Sequence, residues 1–134
     1  MNDLEKFIEA HEGNESHPYT DGVGKITIGV GHNLTDNGLS PAIIAAILAE
    51  DIAIAKSELS RKYRKWQELS EKRQMVLIDM MFNLGYPRYS TFKRFWKALR
   101  KARYDDAANE MLDSRWAKQV GPRALRLAKM MREG

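Results

Sequence analysis

At 134 residues, with 22 Lys/Arg against 18 Asp/Glu and a formal charge of +4, the chain is long enough for one domain, burying roughly two-thirds of the surface its unfolded form exposes. It has no cysteine, which excludes disulfides and thiolate chemistry, and no run of 18 apolar residues, which argues against a membrane-spanning helix. The basic excess is uneven: RKYRK at 61–65, then Lys93, Arg94, Lys97, Arg100, Lys101 and Arg103, then Arg123, Arg126, Lys129 and Arg132. Such a surface attracts nucleic acid, acidic wall polymer or anionic lipid, or is simply solvated.

The first segment, MNDLEKFIEAHEG, lacks the long apolar stretch of a signal peptide. Leu4, Phe7, Ile8 and His11 recur with helical period, Asn2 and Glu5 make a capping box, and Gly13 ends the helix. Glu12 therefore falls at a helix C-terminus, where the dipole disfavours a negative charge, and Ile8 and His11 are expected to shield it. Three short segments follow, around Pro18–Thr20, Lys25–Ile28 and His32–Leu34, separated by glycines. They predict a small antiparallel sheet with tight turns that must lean on helices.

Ser40-Pro41 is a strong helix start. The helix from Pro41 to about Lys62 carries the stripe Ile44, Ile47, Leu48, Ile52 and Leu59 and ties the hairpin lobe to a helical one. Ser70 caps the next helix, with Val76, Leu77, Met80, Met81 and Leu84 inward and Gly85 as C-cap. GYPRYS reads as a loop. Further helices begin at Ser90 (Phe92, Phe95, Trp96, Leu99), at Asp105 (Ala108, Met111, Leu112) and at Gly121-Pro122 (Ala124, Leu125, Ala128, Met131). Trp66, Trp96 and Trp116 read as structural, and the seven methionines as core filler. The fold class is α+β. One domain spans 1–134, with an N-terminal lobe at about 13–40, a connecting helix at about 41–62, and a helical lobe at 63–134 on which the first helix packs.

Chemistry concentrates in EGNESHPYTDGVGKITIGVGH, residues 12–32. Cleaving a glycosidic bond takes a protonated acid beside the leaving oxygen and a carboxylate on the other face of the sugar. Glu12 is the better acid. Asp21, on a wet turn, is the candidate base or electrostatic partner, and Thr27 has a hydroxyl to hold a water. The plainer readings are a solvated helix-end glutamate, a turn aspartate bonding its own backbone and a threonine chosen for its strand propensity. Gly29 and Gly31 read as tight turns and close approach. His32 reads as a structural hydrogen-bonding residue, and Tyr19 and Phe92 as groove-lining or core. His11 and His17 lack a third ligand at metal spacing, so neither a metal nor a cofactor is expected.

The pattern E-G-x5-Y-x-D-x5-T-I-G-x-G-H resembles the phage T4-type lysozymes, the endolysin muramidases of glycoside hydrolase family 24. MVLIDMMFNLG, Thr91-Phe92 and DAANEMLDSRWAKQVGPRALRL extend the resemblance over most of the chain. It implies a lysozyme-like fold, Glu12 as general acid, and Asp21 and Thr27 positioning the water of an inverting hydrolysis. Tyr19, Gly31, His32, Asn83, Phe92 and Arg123 become binding or supporting residues. Asn83 takes a cleft-side position, and Arg123 pairs with the glutamate across the cleft. Two departures stand out: few residues separate His32 from the helix at Pro41, and the chain stops at Gly134.

The implied substrate is the β-1,4 bond between N-acetylmuramic acid and N-acetylglucosamine in bacterial peptidoglycan. The implied partners are its glycan strands and a separate holin-type pore protein, with no nucleic acid and no stable membrane insertion. A monomer is expected to accumulate in the producing cell's cytoplasm and then reach the wall. The alternative is a peptidoglycan-binding protein of the same fold without catalysis.

Overall fold

A computed structural model describes all 134 residues. They form two compact units, Met1–Ile47 and Leu48–Gly134. A small antiparallel sheet belongs to the first, most helices belong to the second, and one long helix joins them.

In the first unit, helix α1 (Asp3–Glu12) has the expected capping box: Asn2 Oδ1 accepts from the Glu5 amide at 2.8 Å, and Glu5 Oε1 from the Asn2 amide at 3.1 Å. These bonds satisfy two of the four amides a helix start leaves open. Gly13, at φ +83°, ends it. Strands β1 (Glu15–Thr20), β2 (Ile26–Gly29) and β3 (His32–Asn33) follow in the order β1-β2-β3. Tyr19 stands opposite Thr27, Thr27 opposite Asn33 and Ile28 opposite His32, and the β1–β2 register is irregular between Glu15 and Tyr19. Helix α2 (Leu34–Asn37) is capped by Asn33, whose side chain accepts from the Asp36 amide. Thr27 is the single buried residue of this unit. Leu4, Phe7 and Ile8, which have the period of a buried face, are all exposed.

Helix α3 (Pro41–Lys62) starts as expected, with Ser40 Oγ accepting from the Ile43 amide. Its 22 residues span about 33 Å. Only Ala55 and Leu59 are buried; Ile44, Ile47 and Leu48 of the expected stripe are exposed. No helix is long and apolar enough to cross a membrane.

The second unit continues with a 3-10 turn (Arg64–Glu68), α4 (Glu71–Leu84), α5 (Tyr86–Tyr89), α6 (Lys93–Arg100), α7 (Tyr104–Leu112), α8 (Arg115–Val120) and α9 (Pro122–Glu133). Ser70 and Gly85 cap α4, and all five of its expected apolar residues are buried. The expected loop GYPRYS instead folds as α5, because Pro87 sits in its first turn and Tyr89 is driven fully into the core. Helix α6 starts at Lys93, not Ser90: Thr91 and Phe92 close a turn on Arg88 and Tyr89 first. In α9, Leu127 is buried, while the expected Leu125 is 64% exposed.

Trp66, Trp96 and Trp116 are all core residues. Met80, Met81, Met111 and Met131 fill the core, but Met1 and Met75 lie outside it. Arg73 ties α4 to the end of α9, donating to the Met131 and Arg132 carbonyls at 2.8 and 2.9 Å with its guanidinium over Tyr104. This satisfies carbonyls a helix end leaves free.

Candidate functional site

Glu12 is the last residue of α1 and is exposed, so the shielding expected from Ile8 and His11 is absent. Ile8 faces solvent, and His11 turns back to pair with the Phe7 carbonyl at 2.9 Å and edge onto its ring. The carboxylate instead reaches over the β2–β3 turn. A Cβ placed on Gly31 would stand 2.7 Å from Glu12 Oε2 and 3.1 Å from its Cδ. Gly31 also has φ +72°, a region that side chains disfavour. Glycine is thus needed twice at this position, once for the turn and once to admit the carboxylate.

Asp21 closes the β1–β2 turn. Its Oδ1 accepts from the Val23 and Lys25 amides at 3.0 and 2.8 Å, and its own amide donates to the Lys25 carbonyl at 2.8 Å. The turn-forming reading therefore holds, and it leaves a role in chemistry open because only one oxygen is used. Oδ2 makes no hydrogen bond within the protein, and the two amides fix its direction.

Thr27, in the central strand, is 4% exposed, and its hydroxyl donates to the Lys25 carbonyl at 3.1 Å. Lys25 is thereby the pivot of the pair: its backbone bonds both Asp21 and Thr27, while its ammonium pairs with Asp36 at 3.1 Å. Thr35 Oγ1 accepts from the Ile26 amide at 2.7 Å and pins the same segment to α2. Sequence reasoning missed Lys25, Thr35 and Asp36. The readable signal was opposite charges flanking the two ends of one hairpin.

Tyr19 is half-buried opposite Thr27. His32 pairs through Nε2 with the Gly38 carbonyl at 2.6 Å, a structural bond that closes the loop after α2.

The other expected site residues lie in the second unit. Asn83 Oδ1 accepts from Trp116 Nε1 at 2.8 Å, joining α4 to α8. Phe92 is half-buried and lines a depression with Thr91, Arg94, Glu110 and Asp113. Arg123 donates from Nε and Nη2 to Asp79 Oδ1, at 3.1 and 2.7 Å. The pair borders an open groove lined by Leu48, Ile52, Met75, Ile78 and Phe82. Asp79 carried no local signal; only the packing of α4 against α9 brings it to Arg123.

Two tyrosines of this unit have displaced ionisation. Burial pushes the Tyr89 hydroxyl well above its usual range, and the Asp79 carboxylate adds to the effect. Burial also raises Tyr63, helped by Tyr104 and Glu68 and opposed by Arg100. No three His, Cys, Asp or Glu side chains gather where they could hold a metal.

Two relatives from Dictyostelium discoideum, named as probable T4-type lysozymes 1 and 2, are 23% and 24% identical to the chain over 163 aligned positions. Each alignment covers all of this chain and 96% of the relative. The aligned length exceeds 134 residues, so the relatives carry insertions relative to this chain. The model of the family described as phage lysozyme matches residues 9–132, from within α1 almost to the end of α9. The chain belongs to the phage lysozyme family, and with it to the glycoside hydrolases.

Proposed function

We propose that the chain is a muramidase, cutting the β-1,4 bond between N-acetylmuramic acid and N-acetylglucosamine in peptidoglycan with inversion. Glu12 protonates the leaving oxygen. Asp21, through its free Oδ2, and the Thr27 hydroxyl hold the water that attacks the opposite face of the sugar. The observation that carries the reading is the Glu12 carboxylate lying against Gly31, on the hairpin that also holds Asp21 and Thr27. Such an approach excludes any side chain at position 31, a constraint that a solvated helix-end glutamate would not impose.

Tyr19 and His32 support the site from the hairpin. Asn83, Phe92 and Arg123 are substrate-binding or supporting residues of the helical unit, with Arg123 oriented by Asp79. The substrate strands lie outside the membrane, so the enzyme made in the producing cell reaches them through a separate holin-type pore. The two relatives are named as probable lysozymes, which agrees with catalysis and not with a wall-binding scaffold alone.

The test is clearing of purified walls by wild type and Glu12→Gln, together with the anomeric configuration of the product. Loss of a general acid costs about 10²–10⁴ in rate, so the variant should be nearly inactive while melting like wild type. Equal clearing by both proteins overturns the assignment of Glu12. A product of retained configuration overturns the roles given to Asp21 and Thr27.

A further inference from the structure

Charge divides the chain as unevenly as burial does. Residues 1–47 hold two Lys/Arg against seven Asp/Glu, a net of −5, whereas residues 48–134 hold twenty against eleven, a net of +9. The excess is densest on α6 and the turn after it. Lys93, Arg94, Lys97, Arg100, Lys101 and Arg103 are six cations in eleven residues with no acid among them. Helix α6 turns Phe95, Trp96, Ala98 and Leu99 inward and leaves every one of its charged residues exposed.

These cations all lie exposed at the surface and none is part of the core. The chain's two ion pairs, Lys25–Asp36 and Arg123–Asp79, involve none of them. By contrast, Arg61 and Arg73 lie over the rings of Tyr86 and Tyr104. In the groove between α6 and α7, Arg94, Lys97, Lys101 and Arg103 meet only two carboxylates, Asp106 and Glu110. The groove stays cationic, and its charges repel one another unless an anion is present.

We propose that this face binds an anionic, phosphate-bearing polymer of the bacterial wall and holds the enzyme on its substrate between cuts. The proposal rests on the peptidoglycan reading for its location, not for its chemistry. A bilayer fits less well because the apolar side chains of α6 are all in the core and none is free to insert. Nucleic acid fits less well because the aromatics of α6, Phe95 and Trp96, are buried and cannot stack on bases. A flexible chain of phosphodiesters needs only a row of exposed cations.

The experiment measures co-sedimentation of full-length Glu12→Gln, which binds without cutting, with purified walls carrying such polymers and with the same walls stripped of phosphodiesters by hydrofluoric acid. Binding should fall at least tenfold on stripped walls. It should also fall at least tenfold when Lys97→Glu and Lys101→Glu are added, with a shallower dependence on salt. A control with Lys118→Glu and Lys129→Glu, which alters net charge equally on other helices, should bind nearly as well as the parent.

Equal binding to stripped walls overturns the polymer. An equal loss in the control overturns the α6 face. Equally tight binding to acidic vesicles or single-stranded DNA overturns the choice of partner. Hydrolysis of soluble glycan fragments by wild type is measured separately, so its absence would count against the muramidase reading and leave the binding result standing.

Discussion

The two units are built on different physics. Leu48–Gly134 is organised around an apolar core of Leu, Met and aromatic side chains drawn from every helix between α3 and α9, with Trp96, Trp116, Tyr89 and Phe95 almost fully buried. Met1–Ile47 buries Thr27 alone. Polar devices hold it instead: the Asn2–Glu5 capping box, the Asp21 turn, the Lys25–Asp36 pair and the His32–Gly38 bond. The residues proposed for chemistry sit in the unit with almost no core. A hydrogen-bonded hairpin can aim an acid and a hydroxyl with little burial, and the large helical unit supplies most of the folding stability.

The sharpest way to break this contrast is to cut into the core. Leu77 is fully buried, so Leu77→Ala should cost about 2–5 kcal/mol, read as a lower denaturation midpoint. Activity per folded molecule should stay near wild type at low temperature. A loss of activity without a loss of stability would show that the two units do not divide the labour this way.

Gly31→Ala should do the reverse. It drives a Cβ into the Glu12 carboxylate and strains the turn by roughly 1–2 kcal/mol, a smaller stability loss than the core cut. Displacing a reacting group by about 1 Å costs up to about a hundredfold, so clearing per folded molecule should fall roughly 10- to 100-fold.

Alkali should act through the helical unit. Tyr89 is raised well above its ordinary value of 10.0 by burial. Its neutral form is therefore favoured by the fold, and the group leaves stability unchanged below about pH 10. Above that, the unfolded chain loses the proton first, and stability falls by up to about 1.4 kcal/mol per pH unit until the folded-state value is reached. Tyr89→Phe should flatten this alkaline slope at the expense of the hydroxyl's contact with Met80 Sδ. An unchanged slope in urea titrations between pH 9 and 11 would exclude Tyr89 as its source.

The smallest effect belongs to Lys25→Met. The ion pair with Asp36 is exposed on both sides and should contribute no more than about 1 kcal/mol to stability. Losing the pair loosens the hold of α2 on the segment whose backbone joins Asp21 to Thr27, so turnover should fall a few-fold with KM unchanged, and Lys25→Arg should restore it. A rise in KM alone would place Lys25 in binding instead.

Much of the molecule is legible from neighbouring residues. The Asn2–Glu5 capping box, Ser40-Pro41, Ser70 with Gly85, and the glycine-spaced strands lie at or close to where the sequence places them, because caps and turns are set within four or five residues. The Asp21 turn is legible for the same reason: one short segment carries the aspartate and the amides it accepts from. Burial was harder to read. The periodic faces of Leu4–Phe7–Ile8 and Ile44–Ile47–Leu48 look like core but are exposed. Periodicity reports which residues share a face and cannot say what lies against it.

The chain by itself therefore determined its local vocabulary and its family: where helices start and stop, that Glu12 ends a helix while Asp21 closes a turn, and which side chains could do chemistry. Only tertiary structure decided that GYPRYS becomes a helix around a buried Tyr89, that Asp79 holds Arg123, that Trp116 holds Asn83, and that Gly31 lies under Glu12. Those contacts join residues far apart in sequence, and their energies depend on packing and distance that no local pattern encodes.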